Sequence, residues 1–196
     1  MFNQIKGNIV STLIVTFVTF FIALLVSIGS EALVRAVANI LVAFILLIFI
    51  IALGIFSDMI GTAATAASLP PFNAKAAKKI FGASQAVKIT QNASVVANYT
   101  ADIGGDIAGT LSGAIGARII YDLAALFSFS DLVLAGAAMT SFVAAVTVGG
   151  KAIGKRIAIN NAETIVFRVA IALGWWEKFT GWELFRDRGS PHGKSN

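Results

Sequence analysis

Between residues 41 and 56 the chain reads LVAFILLIFIIALGIF, the core of a run (36–56) that holds no charged side chain. A helix of about twenty residues rising about 1.5 Å each covers the roughly 30 Å hydrocarbon core of a bilayer. This run therefore predicts a transmembrane helix, and everything else in the chain must be compatible with lipid. A second uncharged run, residues 9–28, precedes it across a break at Ser30-Glu31 and Arg35. A cleaved leader would have a shorter apolar stretch and a small-residue cleavage site, so residues 9–28 read as a retained span, paired with the next in a helical hairpin.

Two further spans are expected. Residues 93–117 are built from Ala, Gly, Ile, Ser and Thr, and residues 123–148 are conventionally apolar apart from Asp131. The expected fold is an all-α integral membrane protein of about four transmembrane helices with juxtamembrane amphipathic helices. Its expected parts are an added N-terminal helix and loop (1–35), a membrane domain (36–175) and a Trp-rich interfacial tail (176–196).

Composition excludes most other classes. Only 13% of the 196 residues are charged against 57% hydrophobic, where soluble domains carry about 25% charged residues. Cysteine is absent, and the single histidine, His192, lies in a polar tail. Thiol chemistry and core imidazole chemistry are thereby excluded, no phosphate-binding loop or triad spacing is present, and no enzyme is expected.

The basic residues are segregated. Lys75, Lys78, Lys79 and Lys88 follow Pro70-Pro71, a pair expected to break any helix. Ala76, Ala77, Ile80, Phe81 and Val87 interleave with them as in short helices lying on a membrane surface. Lys151, Lys155, Arg156 and Arg168 flank an expected amphipathic helix at 157–173, followed by Trp175, Trp176, Phe179, Trp182 and Phe185. Residues 93–148 carry instead Asp102, Asp106, Asp122 and Asp131 against Arg118. The positive-inside rule then places both basic blocks and both termini in the cytoplasm, in a plasma (bacterial inner) membrane. The lysine cluster reads as an anionic-lipid-facing surface, and nucleic acid is not an expected partner.

The third span carries two kinds of stripe. Ala101, Gly105, Gly109, Gly113 and Ala117 recur every four residues, beside a second small row of Gly104, Ala108, Ser112 and Gly116. Small residues at this spacing let membrane helices approach closely, so Gly105, Gly109 and Gly113 are expected to pack within the chain, across a homodimer or against a membrane partner protein. A polar row, Asn98, Asp102, Asp106 and Thr110, shares the same period. Counted from Ala93, Asp102 and Asp106 lie roughly 14 and 20 Å along the helix. A carboxylate at bilayer depth costs about 2.5–3.5 kcal/mol, so the row binds a cation, lines a wet cavity, holds protons, or pairs with Lys or Arg near water. Ser57, Asp58, Thr62, Thr65 and Ser68 crowd the end of the second span. Their oxygens suit Mg²⁺ or Na⁺, although membrane hydroxyls also bond back to their own helix. Asp58 is expected to be a solvated surface charge.

The order of parts resembles the transmembrane domain of the CNNM/CorC family of magnesium transporters over residues 36–175. Gly61-Thr62-Ala63-Ala64-Thr65-Ala66-Ala67-Ser68-Leu69-Pro70 stands where that family has a Ser-Gly-Ser-Glu-Thr-Ala-Leu motif, and Phe72-Asn73-Ala74-Lys75-Ala76-Ala77-Lys78-Lys79 resembles its basic linker. Ile103-Gly104-Gly105-Asp106-Ile107-Ala108-Gly109 is similar to its Ile-Gly-Asn-Asn-x-x-Asn motif. Gly150-Lys151-Ala152-Ile153-Gly154-Lys155 and Asn160-Asn161-Ala162-Glu163 resemble its Gly-Glu-Ile-x-Pro-Lys and Arg-Asn-Ala-Glu segments.

The resemblance implies a cation-transporting membrane domain, Mg²⁺ or another hard cation as its cargo, and a homodimer. It also marks departures. The family's first-motif glutamate falls on Ala63, two asparagines fall on Gly105 and Gly109, and the last glutamate becomes Lys151. The cytoplasmic CBS pair that usually follows in the family is not in this sequence. The expected ion site is therefore rebuilt from Asp102, Asp106, Asn98 and Thr62. The alternative is a transport-inactive interaction or scaffold subunit that dimerises or docks a partner through the glycine stripe.

Overall fold

The computed structural model describes residues 39–127 and 131–181, together with Leu13 and residues 16–25 and 27–29. The described residues form helices and no strand. In chain order these are α1 (Ile40–Ala66), α2 (Leu69–Ala77), α3 (Ala83–Gln91), α4 (Ala93–Ala97), a π-helical segment (Asn98–Gly104), α5 (Gly105–Phe127), α6 (Leu132–Asn160) and α7 (Ala162–Thr180). Among the described residues, three continuous helical stretches are long and apolar enough to cross a membrane: Ile40–Ala66, Ala93–Phe127 and Leu132–Asn160. Leu13 and residues 16–25, 27 and 28 of the expected first span are helical. The remainder of that span, and Trp182, Phe185 and His192, lie outside the described residues.

The boundaries differ from the sequence expectations for identifiable reasons. α1 continues ten residues past Phe56, because the Ala, Thr and Gly of this stretch are tolerated in a helix and pack closely. Pro70 and Pro71 do not end a helix but begin one. They occupy the first turn of α2, where a missing N–H is no loss. Asp131, expected inside a span, is the N-cap of α6, accepting from the Leu134 N–H at 2.9 Å. Residues 123–127 accordingly belong to α5. The helix expected at 157–173 is divided at Asn161, and its first residues complete α6.

The chain builds two cores, one above the other. α1, α5 and α6 pack mutually around Ala43, Leu47, Ile51, Ile115, Ile119 and Val143. Outward, Ile45, Ile48, Phe49, Leu53 and Phe56 of α1 and Val133, Leu134 and Phe142 of α6 are exposed. An apolar surface of that extent belongs in lipid, and the protein is a membrane protein in contact with the bilayer. The second core joins the ends of α1 and α6 to α2, α3 and α7 through Ala63, Ala64, Phe72, Ala86, Ala158 and Val166. Gly82 makes the tight entry to α3 with φ +83°, and a Cβ there would stand 2.8 Å from the Ile171 side chain of α7.

Close approach is concentrated where α1 meets the third stretch. A Cβ on Gly54 would lie 2.8 Å from Ala108 Cβ, and one on Gly61 would lie 2.7 Å from Ala101 Cβ. The row packed inside the chain is thus Gly104, Ala108, Ser112 and Gly116 with Gly105, whereas Gly109 and Gly113 have nothing within 4 Å of an added Cβ. Gly61→Leu is expected to destabilise the detergent-solubilised protein by about 1–3 kcal/mol through overpacking. Gly113→Ala should leave stability unchanged or raise it by up to about 1 kcal/mol. Thermal unfolding of the two variants side by side checks this; equal losses would show that the close approach at Gly61 is not as described.

Candidate functional site

A seam of charge separates the two cores. On α6, Lys151 and Lys155 are one helical turn apart and so share a face. Lys155 Nζ lies 3.6 Å from Asp58 Oδ1 of α1, and Lys151 Nζ lies 3.4 Å from Asp106 Oδ1 of α5. The two pairs tie α6 to both neighbours at one level. Helix lengths fix that level. From Ile40 to Asp58, from Asp106 to Phe127 and from Leu132 to Lys151, each stretch rises about 27–32 Å. Each equals the thickness of a bilayer core. The seam lies between the apolar three-helix core and the core built with the shorter basic helices.

The two carboxylates have opposite environments. The Asp106 side chain is 80% exposed and Lys151 is the less exposed partner, at 20%. Lys151 Nζ is held over Gly105, 3.2 Å from where a Cβ would stand, so the glycine makes room for the ammonium. Asp58 is 4% exposed, while the Lys155 side chain is 53% exposed. Asp58 Oδ2 is buried with no hydrogen-bond partner. Uncompensated carboxylate oxygens are costly in a protein interior, and such a group in a native fold calls for an explanation.

Asp58 is held there by its neighbours. Gly54, Asp58 and Gly61 lie on one face of α1, and the two glycines bring that face against Ala108 and Ala101. Opposite them the helix widens into the π segment. Ser57 Oγ donates to Thr100 O at 2.6 Å, and Thr100 Oγ1 donates to Val96 O at 2.8 Å. A π segment inserts an extra residue into a turn and is often found at functional sites.

The residues expected to hold a cation differ in exposure and lie on two helical stretches. Asp102 and Asp106 are exposed, Asn98 begins the π segment half-buried, and Thr62 is half-buried on α1, where its carbonyl accepts from Thr65 Oγ1 at 2.9 Å. Among the described residues no group of three or more Asp, Glu, His or Cys is arranged as a metal shell. Of the expected packing glycines, Gly105 contacts Lys151 and Gly109 and Gly113 face outward. Sequence reasoning missed Asp58. The available signal was its register with Gly54 and Gly61, which puts a carboxylate on the closest-packed face of α1.

Below the seam, α7 is clamped to α2 and α3. Gln85 Nε2 donates to Glu177 Oε2 at 2.8 Å, and Lys75 Nζ stands 4.0 Å from the centre of the Phe167 ring. Phe81 meets Trp175 edge to face, and Lys178 lies beside the same indole. Exposed Trp175, Trp176 and Phe179 next to lysines match a headgroup-level belt.

The pairing at Asp58 predicts an asymmetry. Lys155→Ala leaves a buried carboxylate without its counter-charge and should cost about 3–5 kcal/mol. Asp58→Asn leaves Lys155 free to extend into water, and should cost under about 1 kcal/mol or stabilise. Thermal unfolding of both variants at fixed ionic strength is the check, and equal losses would show that Asp58 is not the buried partner.

Searches of protein-family models, curated proteins and solved structures return no match to this chain.

Proposed function

We propose that this chain is a membrane-embedded cation-handling domain, a divergent relative of the CNNM/CorC transmembrane domain, whose ion site has moved to Asp58. The observation that carries this is the buried Asp58 carboxylate with one oxygen unpartnered, set at the end of an apolar span. Ionisable residues inside membrane helices are costly and are commonly retained for ion or proton pathways. An oxygen of this kind is a ligand for a hard cation. Asp102 and Asp106 are too exposed to enclose an ion, and Lys151 already neutralises Asp106.

The relationship to CNNM/CorC is supported by the order of span, basic surface helices, small-residue span, further span and basic amphipathic helix. It is also supported by the meeting of Gly105 and Lys151, which fall on positions where the family has an asparagine and a glutamate. There a tethered ammonium takes the place of ligand oxygens. The basic half of the molecule faces the cytoplasm of a plasma (bacterial inner) membrane in this reading, with both termini on that side.

A thermal-shift titration with Mg²⁺, Mn²⁺, Ca²⁺ and Na⁺ tests the site. Saturable stabilisation by at least one ion is expected, lost in Asp58→Asn and retained in the Asp102→Asn/Asp106→Asn double variant. No ion effect, or an effect that depends on the double variant instead, would overturn the assignment.

One observation favours a second role, as a homodimer or docking subunit. The outward face of the π segment and α5 carries Asp102, Asp106, Thr110 and Arg118, with Gly109 and Gly113 open beside them. Hydrocarbon penalises such a polar face, and a second helix across it would not. Gly109→Leu has room within the chain, so a halved particle mass by light scattering is expected if this face is the dimer contact; an unchanged mass argues against it.

A further inference from the structure

We propose that the cargo of the Asp58 site is monovalent, and that it trades places with the ammonium of Lys155. This rests on the cation-handling reading above and adds the charge of the ion and its competitor. Four charged groups meet at the seam: Asp58, Asp106, Lys151 and Lys155, two of each sign and already paired. An arriving cation must displace an equal positive charge or leave an excess in a poorly solvated place.

Only one of the two ammoniums is free to go. Lys151 is 20% exposed and seated over Gly105, where it also serves Asp106. Lys155 is 53% exposed, and its 3.6 Å distance to Asp58 Oδ1 is longer than a direct hydrogen bond. Its flexible stem can carry the charge into water without moving α6. One unit of charge leaves, and one unit can enter. The entering ion finds a single carboxylate with a spare oxygen at Oδ2. A divalent ion there would keep one uncompensated charge, because the remaining carboxylate, Asp106, is held by Lys151.

Occupancy by the ion and the ion pair of Asp58 with Lys155 are thus mutually exclusive. The ammonium acts as a built-in competitor that keeps the carboxylate compensated when no cargo is present. Removing it has two linked effects: the ion-free protein is weakened, and the ion binds more tightly.

The experiment is a thermal-shift titration of the purified full chain with NaCl, LiCl, KCl and MgCl₂, with choline chloride holding ionic strength constant. The variants are Lys155→Gln, Asp58→Asn and, as a control that removes a neighbouring exposed charge on the same helix, Arg156→Gln. Saturable stabilisation by Na⁺ or Li⁺ is expected in the unaltered chain and is lost in Asp58→Asn. The half-saturating concentration should fall at least tenfold in Lys155→Gln and stay within twofold in Arg156→Gln. If Lys155→Gln does not survive purification in choline, its recovery in NaCl but not in MgCl₂ is the equivalent result. Stabilisation by Mg²⁺ alone that needs Asp58 would overturn monovalency while leaving the cation site standing. An unchanged half-saturation in Lys155→Gln, or an equal fall in Arg156→Gln, would overturn the exchange. No ion effect in any protein would remove the cation-handling reading itself.

Discussion

The cost of keeping the Asp58 carboxylate out of water organises the centre of this protein. A side chain that is 4% exposed and charged has to find its compensation within a few ångströms, and here it comes from Lys155 on another helix. That requirement fixes α6 against α1 at one height. The Asp106–Lys151 pair one turn away bridges α6 to α5, with the Asp106 side chain largely exposed. Apolar packing in lipid supplies little information about register, because one aliphatic side chain replaces another at small cost and lipid competes for the same contacts. Charge pairs do not slide. The seam therefore adds, at Asp58, a constraint on alignment to the one that the close approaches at Gly54, Gly61 and Gly116 supply.

Glycine and the π segment make this seam possible. Gly54 and Gly61 bring α1 within contact of Ala108 and Ala101, and Ser57 reaches the carbonyl of Thr100 across the gap. A bulkier face on α1 would hold the third stretch away and open Asp58 to water. The widened turn at Asn98–Gly104 falls where the chain passes from the surface core to the bilayer core. The helical count changes there by the residue that a π turn absorbs. Asp102 and Asp106 consequently lie outward although they share a four-residue period with each other.

What could be read from the sequence follows from which signals are local. The uncharged run and the onset of the third stretch at Ala93 are matters of composition: the described part of the run lies in α1, and a helix begins at Ala93. The roles of Pro70-Pro71 and Asp131 depend on position within a turn: proline breaks a helix where a preceding carbonyl is left without an N–H donor and begins one where none is called for, and an Asp carboxylate caps where it can accept a following free N–H. The extent of α1 was obscured because Ser57-to-Ala66 looks polar by composition yet is a packing face. The site was least legible. Spacing put Asp102 and Asp106 on a common face, but only the third dimension shows that this face points away from the bundle, with Lys151 at Asp106. Asp58 looked like a surface charge because it lies at the end of an apolar run. The surface there is covered by α6 and the π segment.

The seam also explains why the basic charge of the chain is divided as it is. Most of the described lysines and arginines beyond α1 lie on the shorter helices and the end of α6, where Trp175, Trp176 and Phe179 are exposed and Lys178 lies beside Trp175. Lys151 and Lys155 are turned to carboxylates of neighbouring helices. Both kinds of lysine satisfy the same rule, that an ammonium at a bilayer boundary must meet an anion or water. The headgroup-facing set, by this argument, meets lipid phosphates, and the inward pair meets Asp106 and Asp58. An ammonium that reaches both environments, as half-exposed Lys155 does, is the one able to pass between them, so the mobile charge of the site lies at the boundary and not within the bundle.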